Sequence, residues 1–159
     1  MTVRARVAAV AAVAVVVVVL TSIVLLRGSA VETKSESEAT RLVQEHAEAI
    51  ATLVGMPLRD PSIGPYPCTG RFGETGDDVV SYRGVYNIDP PTSGTHLQML
   101  ERLRADWVAK GYTLTDDRTV GADRGVLTAT STDGFNLDME TASPDGFAVF
   151  VHSPCFGRP

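Results

Sequence analysis

Residues 7–26 form a mainly apolar run, VAAVAAVAVVVVVLTSIVLL, in which no side chain carries a charge. At about 1.5 Å of rise per residue, a helix of this length spans roughly the 30 Å hydrocarbon core of a bilayer. Thr21 and Ser22 interrupt the apolar character, but their hydroxyls can bond back to the helix. Because lipid offers no partner to a free peptide group, the run predicts a transmembrane helix.

A cleaved secretory signal is the alternative interpretation of the same segment. Arg4 and Arg6 would form its basic region, and the small residues GSA at 28–30 would allow cleavage near Ala30, giving a secreted protein. Signal peptides have apolar regions of about 7 to 15 residues, and this run is longer. The length therefore favours an uncleaved anchor in contact with the lipid bilayer.

Cysteine usage predicts on which side of the membrane the rest of the chain lies. The basic residues before and after the apolar run nearly balance, so the positive-inside tendency decides little. Cys68 and Cys155 are the two cysteines of the chain, and after an export-type segment they indicate one disulfide, a bond of oxidising compartments. Two free buried thiols are the alternative. We expect a single-pass cell-membrane protein with its N-terminus inside.

The chain accordingly divides into four parts. Residues 1–6 are predicted to be a short cytoplasmic end, residues 7–26 the membrane helix, and residues 27–34 a polar linker. Residues 35–159 are predicted to form an extracytoplasmic domain. One domain is what a chain of 159 residues can support.

Two helices are predicted in that domain. Ser35 and Glu38 have the spacing of a capping box, and the apolar positions that follow at i, i+3 and i+4 indicate a helix ended by Gly55. A second helix starts near Leu97 and is ended by Gly111. Trp107, on its apolar arc, is expected in the core.

Five strands are predicted around these helices. Residues 57–73 contain four prolines and three glycines, which predicts a wrapping loop. Residues 79–88 alternate as a strand does, with Gly84 as a bulge or a close approach. Four strands follow in a meander, and Asp133-Gly134 suits a type I′ hairpin turn. These four strands begin near Tyr112, Arg124, Phe135 and Gly146.

The predicted fold class is α+β, in the order α-β-α-β-β-β-β. Two helices with one apolar face each would cover one face of a mainly antiparallel five-stranded sheet, in two layers. The first strand could lie parallel to the second through a helical crossover, or at the far edge beside the last strand. A Cys68–Cys155 bond mildly favours the second arrangement.

The stretches LERLRADWVAKGYTLTDDR, GVLTATSTDGFNLDMETAS and VHSPC resemble a group of small actinobacterial membrane-anchored and lipoprotein-like exported proteins. The resemblance covers about residues 35–156. It implies an N-terminal anchor, a cysteine before the first strand and a terminal Ser-Pro-Cys, but no chemistry. This chain departs from the lipoprotein members because no cysteine lies near the end of its apolar run.

Charge argues against one class of partner. The three arginines among residues 1–30 leave 11 of the 14 basic residues against all 19 acidic ones, a net charge of −8 for the remainder. Neutralising phosphates requires clustered Lys and Arg, so nucleic acid is not expected as a partner.

Few residues suggest chemistry. His46 lies on the apolar face of the first helix, where a histidine with one hydrogen bond is expected rather than a ligand. His96 is expected to be exposed. His152, on the last strand, could line a groove with Phe150, but an exposed strand histidine is the favoured alternative. Arg104, in the apolar arc of the second helix, could bind a buried carboxylate or an anion, but an arginine that extends its stem along that face is favoured. His152 and Arg104 are the candidate groove residues.

No catalytic, cofactor-binding or metal-binding residues are assigned. The pairs Asp77-Asp78 and Asp116-Asp117, with Asp123, could bind calcium, but they lack EF-hand spacing. No Gly-x-Ser-x-Gly, P-loop, dinucleotide-binding or zinc motif occurs in the sequence. The nearest hypothesis is a non-enzymatic, membrane-anchored interaction or envelope-associated domain. Alternatives are a small hydrolase or metal-dependent enzyme, and an inhibitor or shielding protein for a partner.

Overall fold

The computed structural model describes residues 31–69, 75–142 and 144–159, without the side chains of Thr69, Thr75 and Asp77. Glu32–Pro159 forms one structural unit. The predicted membrane helix at residues 7–26 lies outside the described residues. Within the described ranges, no helix is both long and apolar enough to cross a membrane.

The described chain is an α+β domain of two helices and one antiparallel sheet, which confirms the predicted class. The sheet has seven strands, so the predicted number of five is wrong. The elements in chain order are α1 Glu36–Val54, β1 Leu58–Thr69, β2 Thr75–Ile88, α2 His96–Ala109, β3 Thr113–Gly121, β4 Arg124–Thr130, β5 Asn136–Thr141, β6 Phe147–His152 and β7 Phe156–Gly157.

The spatial order of the strands is β1-β2-β6-β5-β4-β3, and β7 also pairs with β2. The first predicted strand, β2, therefore lies antiparallel beside the last predicted strand, β6, with Gly84 opposite Val151. This is the second of the two arrangements considered. The observed sheet differs from that arrangement in one respect, because β1 lies outside β2 and is the edge strand.

The prediction of a loop over residues 57–73 is wrong for its first part, which is strand β1. Pro61, Pro65 and Pro67 have no N–H, but an edge strand needs only one of its two hydrogen-bonding sides, so proline is tolerated there. The strand carries an irregularity near Asp60, whose φ of 49° is left-handed. Strand β7 was missed because two residues show no alternation.

Both helices begin and end where the sequence indicates. The Ser35 hydroxyl accepts a hydrogen bond from the Glu38 amide at 3.3 Å, and Gly55 ends α1 with a φ of 76°. Thr95 and Gln98 form a reciprocal capping box at the start of α2. Gly111, with a φ of 75°, follows its end.

The β4–β5 hairpin is present, but its turn is not type I′. That type requires positive φ at both central residues, whereas Gly134 is left-handed, with a φ of 88°, and Asp133 is not. The Ser131 amide donates to the Phe135 carbonyl at 2.8 Å, so the loop has three residues between its closing pair.

The core lies between the two helices and one face of the sheet. Alternate residues of the strands point into it, and Trp107 is 2 % exposed, as predicted. The largest fully buried side chains are Tyr86, Phe135, Phe147, Ile50, Leu103, Leu127, Leu137 and Met139. No helix among the described residues packs on the opposite face of the sheet, and we call it the open face.

Gly84 is a site of close approach rather than a bulge. A Cβ atom placed there would lie 2.6 Å from Val43 Cγ1 and 2.7 Å from the Tyr86 ring. Helix α1 therefore packs directly on the β2 backbone, and the Tyr86 side chain leans back over Gly84.

The predicted disulfide is present and joins Cys68 to Cys155, with Cα atoms 6.0 Å apart and a sequence separation of 87. In the chain-entropy model, closing such a loop destabilises the unfolded state by about 4 to 5 kcal/mol. Next to it, Thr33 forms a parallel bridge with Gly157, whose amide donates to the Glu32 carbonyl at 2.9 Å. The start and the end of the domain are thus held together.

Replacing Gly84 by alanine is expected to lower the free energy of unfolding by about 1 to 3 kcal/mol, because the added methyl group overpacks the contact between Val43 and Tyr86. Gly64→Ala is the matched control on the neighbouring strand, since nothing lies within 4 Å of its Cβ position. Urea unfolding followed by Trp107 fluorescence measures both. Equal stability of the two variants would contradict the close approach at Gly84.

Candidate functional site

A groove runs between helix α1 and the edge strand β1. It consists of two hollows of about 620 and 480 Å³ that share Gln44 and Glu48. These residues lie on one stripe of α1 with Ala51 and Gly55, because positions three to four apart stack on a helix. We call this feature the α1–β1 groove.

Tyr86 lines the larger hollow with a buried hydroxyl. The residue is 1 % exposed, and its hydroxyl oxygen has no hydrogen-bond partner. Burial, with a smaller contribution from the charge of Glu48, raises the pKa of Tyr86 to about 12. The hydroxyl therefore stays protonated near neutral pH and can both donate and accept.

The groove has a polar side and an apolar side. On the polar side the Gln44 amide donates to Glu48 at 2.8 Å. On the apolar side, Met56 and Leu58 are half-buried. Pro61, beside the irregular backbone of β1, completes that wall. The groove can hold a ligand that has an apolar stem and a polar end.

His152 and Arg104, the two residues of the predicted groove, are not brought together. His152 lies on the open face, paired in register with Arg83 and Asn136. Arg104 lies on the other side of the sheet, on α2. Its Nε donates to Asp117 at 2.7 Å, and it also pairs with Glu101. Arg104 thus has carboxylate partners and forms no shared site with His152.

Around His152, the open face carries a small aromatic and cationic cluster. Arg83 lies over the rings of Tyr66 and Phe150, at 5.8 and 5.1 Å from their centroids. The Tyr66 ring meets His152 edge-on at 5.7 Å. Burial, then the charge of Arg83, lowers the pKa of His152. His152 therefore favours its neutral form, and Phe150 shares its face as expected.

His46 has the structural role that its position on α1 predicted. Its ring packs on Phe135 at 4.3 Å between centroids, and Nε2 lies 3.1 Å from Asp133 Oδ2. Burial raises the pKa of Asp133, but the Ser131 hydroxyl and His46 outweigh it and hold that pKa below its ordinary value. The pair joins α1 to the β4–β5 hairpin.

The prediction that His96 is exposed is wrong, since only 15 % of its side chain is accessible. Nδ1 lies 2.9 Å from Asp123, and Nε2 lies 3.0 Å from Asp145, while the ring packs on Phe147. The hydrogen bond from His96, aided by the Leu97 amide, lowers the pKa of Asp123 to about 2. Both ring nitrogens face carboxylates, so His96 holds three segments together rather than presenting a free base.

The acidic pairs do not build a cation site in the part of the chain that the structure describes. No three His, Cys, Asp or Glu side chains come together there as metal ligands would. Asp117 is bound by Arg104, and Asp116 lies 3.0 Å from Arg118. The side chain of Asp77 lies outside the described residues.

Sequence reasoning missed Tyr86 and Glu48 as site residues. The alternation of β2 places Tyr86 inside, but whether a buried hydroxyl has a partner depends on neighbours that are distant in sequence. Comparison with known protein families, with curated proteins and with solved structures finds no match. The geometry of the groove therefore identifies the site.

Asp138, on the open face, is a second buried polar group without a complete set of partners. Its Oδ1 is buried and accepts no hydrogen bond. Burial, with the neighbouring charge of Glu140, raises the pKa of Asp138 to about 6. In the unfolded chain this pKa is about 3.9. The fold thus disfavours the ionised form.

Stability should fall as the pH rises from about 4 to about 6, because the folded state binds the Asp138 proton more tightly than the unfolded state over that window. Asp138→Asn should remove this fall and raise the free energy of unfolding at pH 7 by about 1 to 2 kcal/mol. Glu140→Gln should reduce the fall partly. Urea unfolding between pH 4 and 8 measures the free energy of unfolding. If that free energy depended on pH in Asp138→Asn as it does in the wild type, Asp138 would not be the group responsible.

Proposed function

We propose that residues 35–159 form a non-enzymatic binding domain that a transmembrane helix at residues 7–26 holds on the outer side of a cell membrane. The domain binds its partner in the α1–β1 groove. The observation that carries this function is the Tyr86 hydroxyl, which is buried and unpaired and belongs to a residue that lines the larger hollow.

An unpaired hydroxyl in a protein interior needs a reason. Leaving such a group without a hydrogen bond costs about 1 to 3 kcal/mol, and native structures contain few of them. Phenylalanine would fill the same space without that cost. A hydroxyl that gains its partner when a ligand enters the groove accounts for the tyrosine.

The disulfide supports the outer location. Such bonds persist in oxidising compartments and are rare in the cytosol. Here the bond ties the exposed Cys155 near the end of the domain to Cys68 in the edge strand β1. The apolar run at residues 7–26 precedes the domain and has the length of a bilayer span.

The enzyme alternative has less support. A general base needs a free nitrogen or oxygen within reach of the substrate proton. His46 and His96 each bond a carboxylate through one ring nitrogen, the other nitrogen of His96 is buried, and Arg104 is paired with Asp117. His152 and Arg104 lie on opposite sides of the sheet. In the described part of the chain, these residues do not form a catalytic constellation.

The shielding alternative predicts a contiguous apolar patch on the open face. The large apolar side chains that are exposed among the described residues lie on four separate segments, and they are Val31, Tyr66, Val108 and Val120. Tyr66 has Arg83 and His152 as neighbours rather than apolar residues. The groove is the better-supported binding surface.

The location is tested with the full chain in bacterial cells. We expect the protein to stay in the membrane after a carbonate wash, external protease to digest residues 35–159, and a thiol-reactive polymer to modify Cys68 and Cys155 only after reduction. Modification of both thiols without reductant, or an intact chain in the soluble fraction, would contradict the proposed location.

The binding surface is tested by placing a photo-crosslinking amino acid at Thr52, an exposed residue that lines the groove. Val108, which is 57 % exposed on α2, is the matched control position. We expect a discrete adduct in irradiated cells from position 52 and none from position 108. Equal crosslinking at both positions, or none at Thr52, would overturn the groove as the binding surface.

A further inference from the structure

We propose that the α1–β1 groove binds a lysine side chain of a partner protein, with the ammonium group between Glu48 and the Tyr86 hydroxyl. This inference rests on the proposed function, because it names the chemistry of the partner for the same groove. It follows from the charge of the groove, the number of its acceptors and the character of its walls.

The charge of the groove is negative. Glu48 is shared by both hollows. The larger hollow lies at the C-terminal end of α1, which carries the negative end of the helix dipole, and no basic side chain lies in the last turn. Arg41, which lines the second hollow, is paired with Glu45. A cation entering the groove therefore meets uncompensated negative charge.

The acceptors suit an ammonium group better than a guanidinium group. An ammonium group has three N–H donors that can point to separate acceptors, whereas a guanidinium group binds best to two oxygens in one plane. The Glu48 carboxylate already accepts a hydrogen bond from Gln44 at 2.8 Å, which hinders a bidentate contact with a guanidinium group. The unpaired oxygen of Tyr86, a residue that lines the same hollow, supplies a separate acceptor.

The walls suit the stem of lysine. Ala51, Met56 and Leu58 line the hollow that contains Tyr86, and each is buried or half-buried. Four methylene groups can pack along such a wall while the charged end reaches the polar side. A small inorganic cation would leave this apolar surface uncovered.

The groove also suits a side chain that is carried by a peptide. Beyond Glu48, the second hollow extends the groove along α1 toward Ser37, which leaves room for flanking residues. The prolines of β1 lack the N–H groups that strand addition at this edge would use. A partner is therefore recognised through a side chain in the groove rather than by extending the sheet.

The test uses the full chain in an uncharged detergent and the peptide acetyl-Ala-Lys-Ala-amide. The readout is the ¹⁵N NMR shift of the Gly55 and Met56 amides at peptide concentrations up to about 10 mM, the range in which one anchoring side chain binds. Three further peptides replace the lysine by norleucine, by Nε-acetyl-lysine and by arginine. We expect saturable shifts with lysine, at least about tenfold weaker binding with arginine, and none with the two uncharged side chains.

Two variants locate the ammonium group. Tyr86→Phe removes the unpaired hydroxyl and should leave the free energy of unfolding unchanged or higher, while binding of the lysine peptide weakens about tenfold or more. Glu48→Gln should weaken binding to a similar extent. Glu36→Gln makes the same charge change on α1 outside both hollows, and it should bind as the wild type does.

Equal binding of the norleucine or the acetyl-lysine peptide would overturn the inference, as would wild-type affinity in Tyr86→Phe or no shift with the lysine peptide. These outcomes are separable from failure of the proposed function. A Thr52 crosslink without lysine binding would leave the groove as a binding surface and refute lysine as its ligand. The absence of the crosslink together with the absence of lysine binding would refute both.

Discussion

The contact between Val43 and the bare backbone of Gly84 determines the position of most other groups in the domain. Because Gly84 has no side chain, helix α1 approaches β2 closely, and the Tyr86 ring occupies the space beside it. The stripe of α1 next to this contact then lies above the edge strand and forms one wall of the groove. A bulkier residue at position 84 would displace the helix, the tyrosine and the groove together.

The polar groups of the domain fall into two classes, and this division distinguishes structure from candidate function. His46 and Arg104 each bond carboxylates and link segments that are distant in sequence. Tyr86 and Asp138 instead keep buried oxygen atoms without a hydrogen-bond partner, and Arg83 Nε and His96 Nε2 are buried nitrogen atoms without one. Since unpaired buried groups are costly and paired ones are stable, the second class marks where a binding partner would add most.

The sequence predicted both helices, their end signals at Ser35, Gly55 and Gly111, and five of the seven strands correctly, because those features depend on local periodicity and turn residues. It missed β1 because three prolines within seven residues usually exclude a strand, and only the position at the sheet edge makes them tolerable. It predicted an exposed His96 because the partners of that residue, Asp123 and Asp145, lie in two later turns. Such long-range pairings leave no periodic signal.

The pairing of Thr33 with Gly157 has a mechanical consequence. Tension applied through the linker would load this short parallel bridge and β7 first, and the covalent bond from Cys155 would pass the load to β1 rather than to the helices. Helix α1, which begins at Glu36 and forms the helix wall of the groove, would therefore be loaded only after this bridge yields. A reporter fused after Pro159 would emerge beside the point where the linker enters, on the same end of the fold.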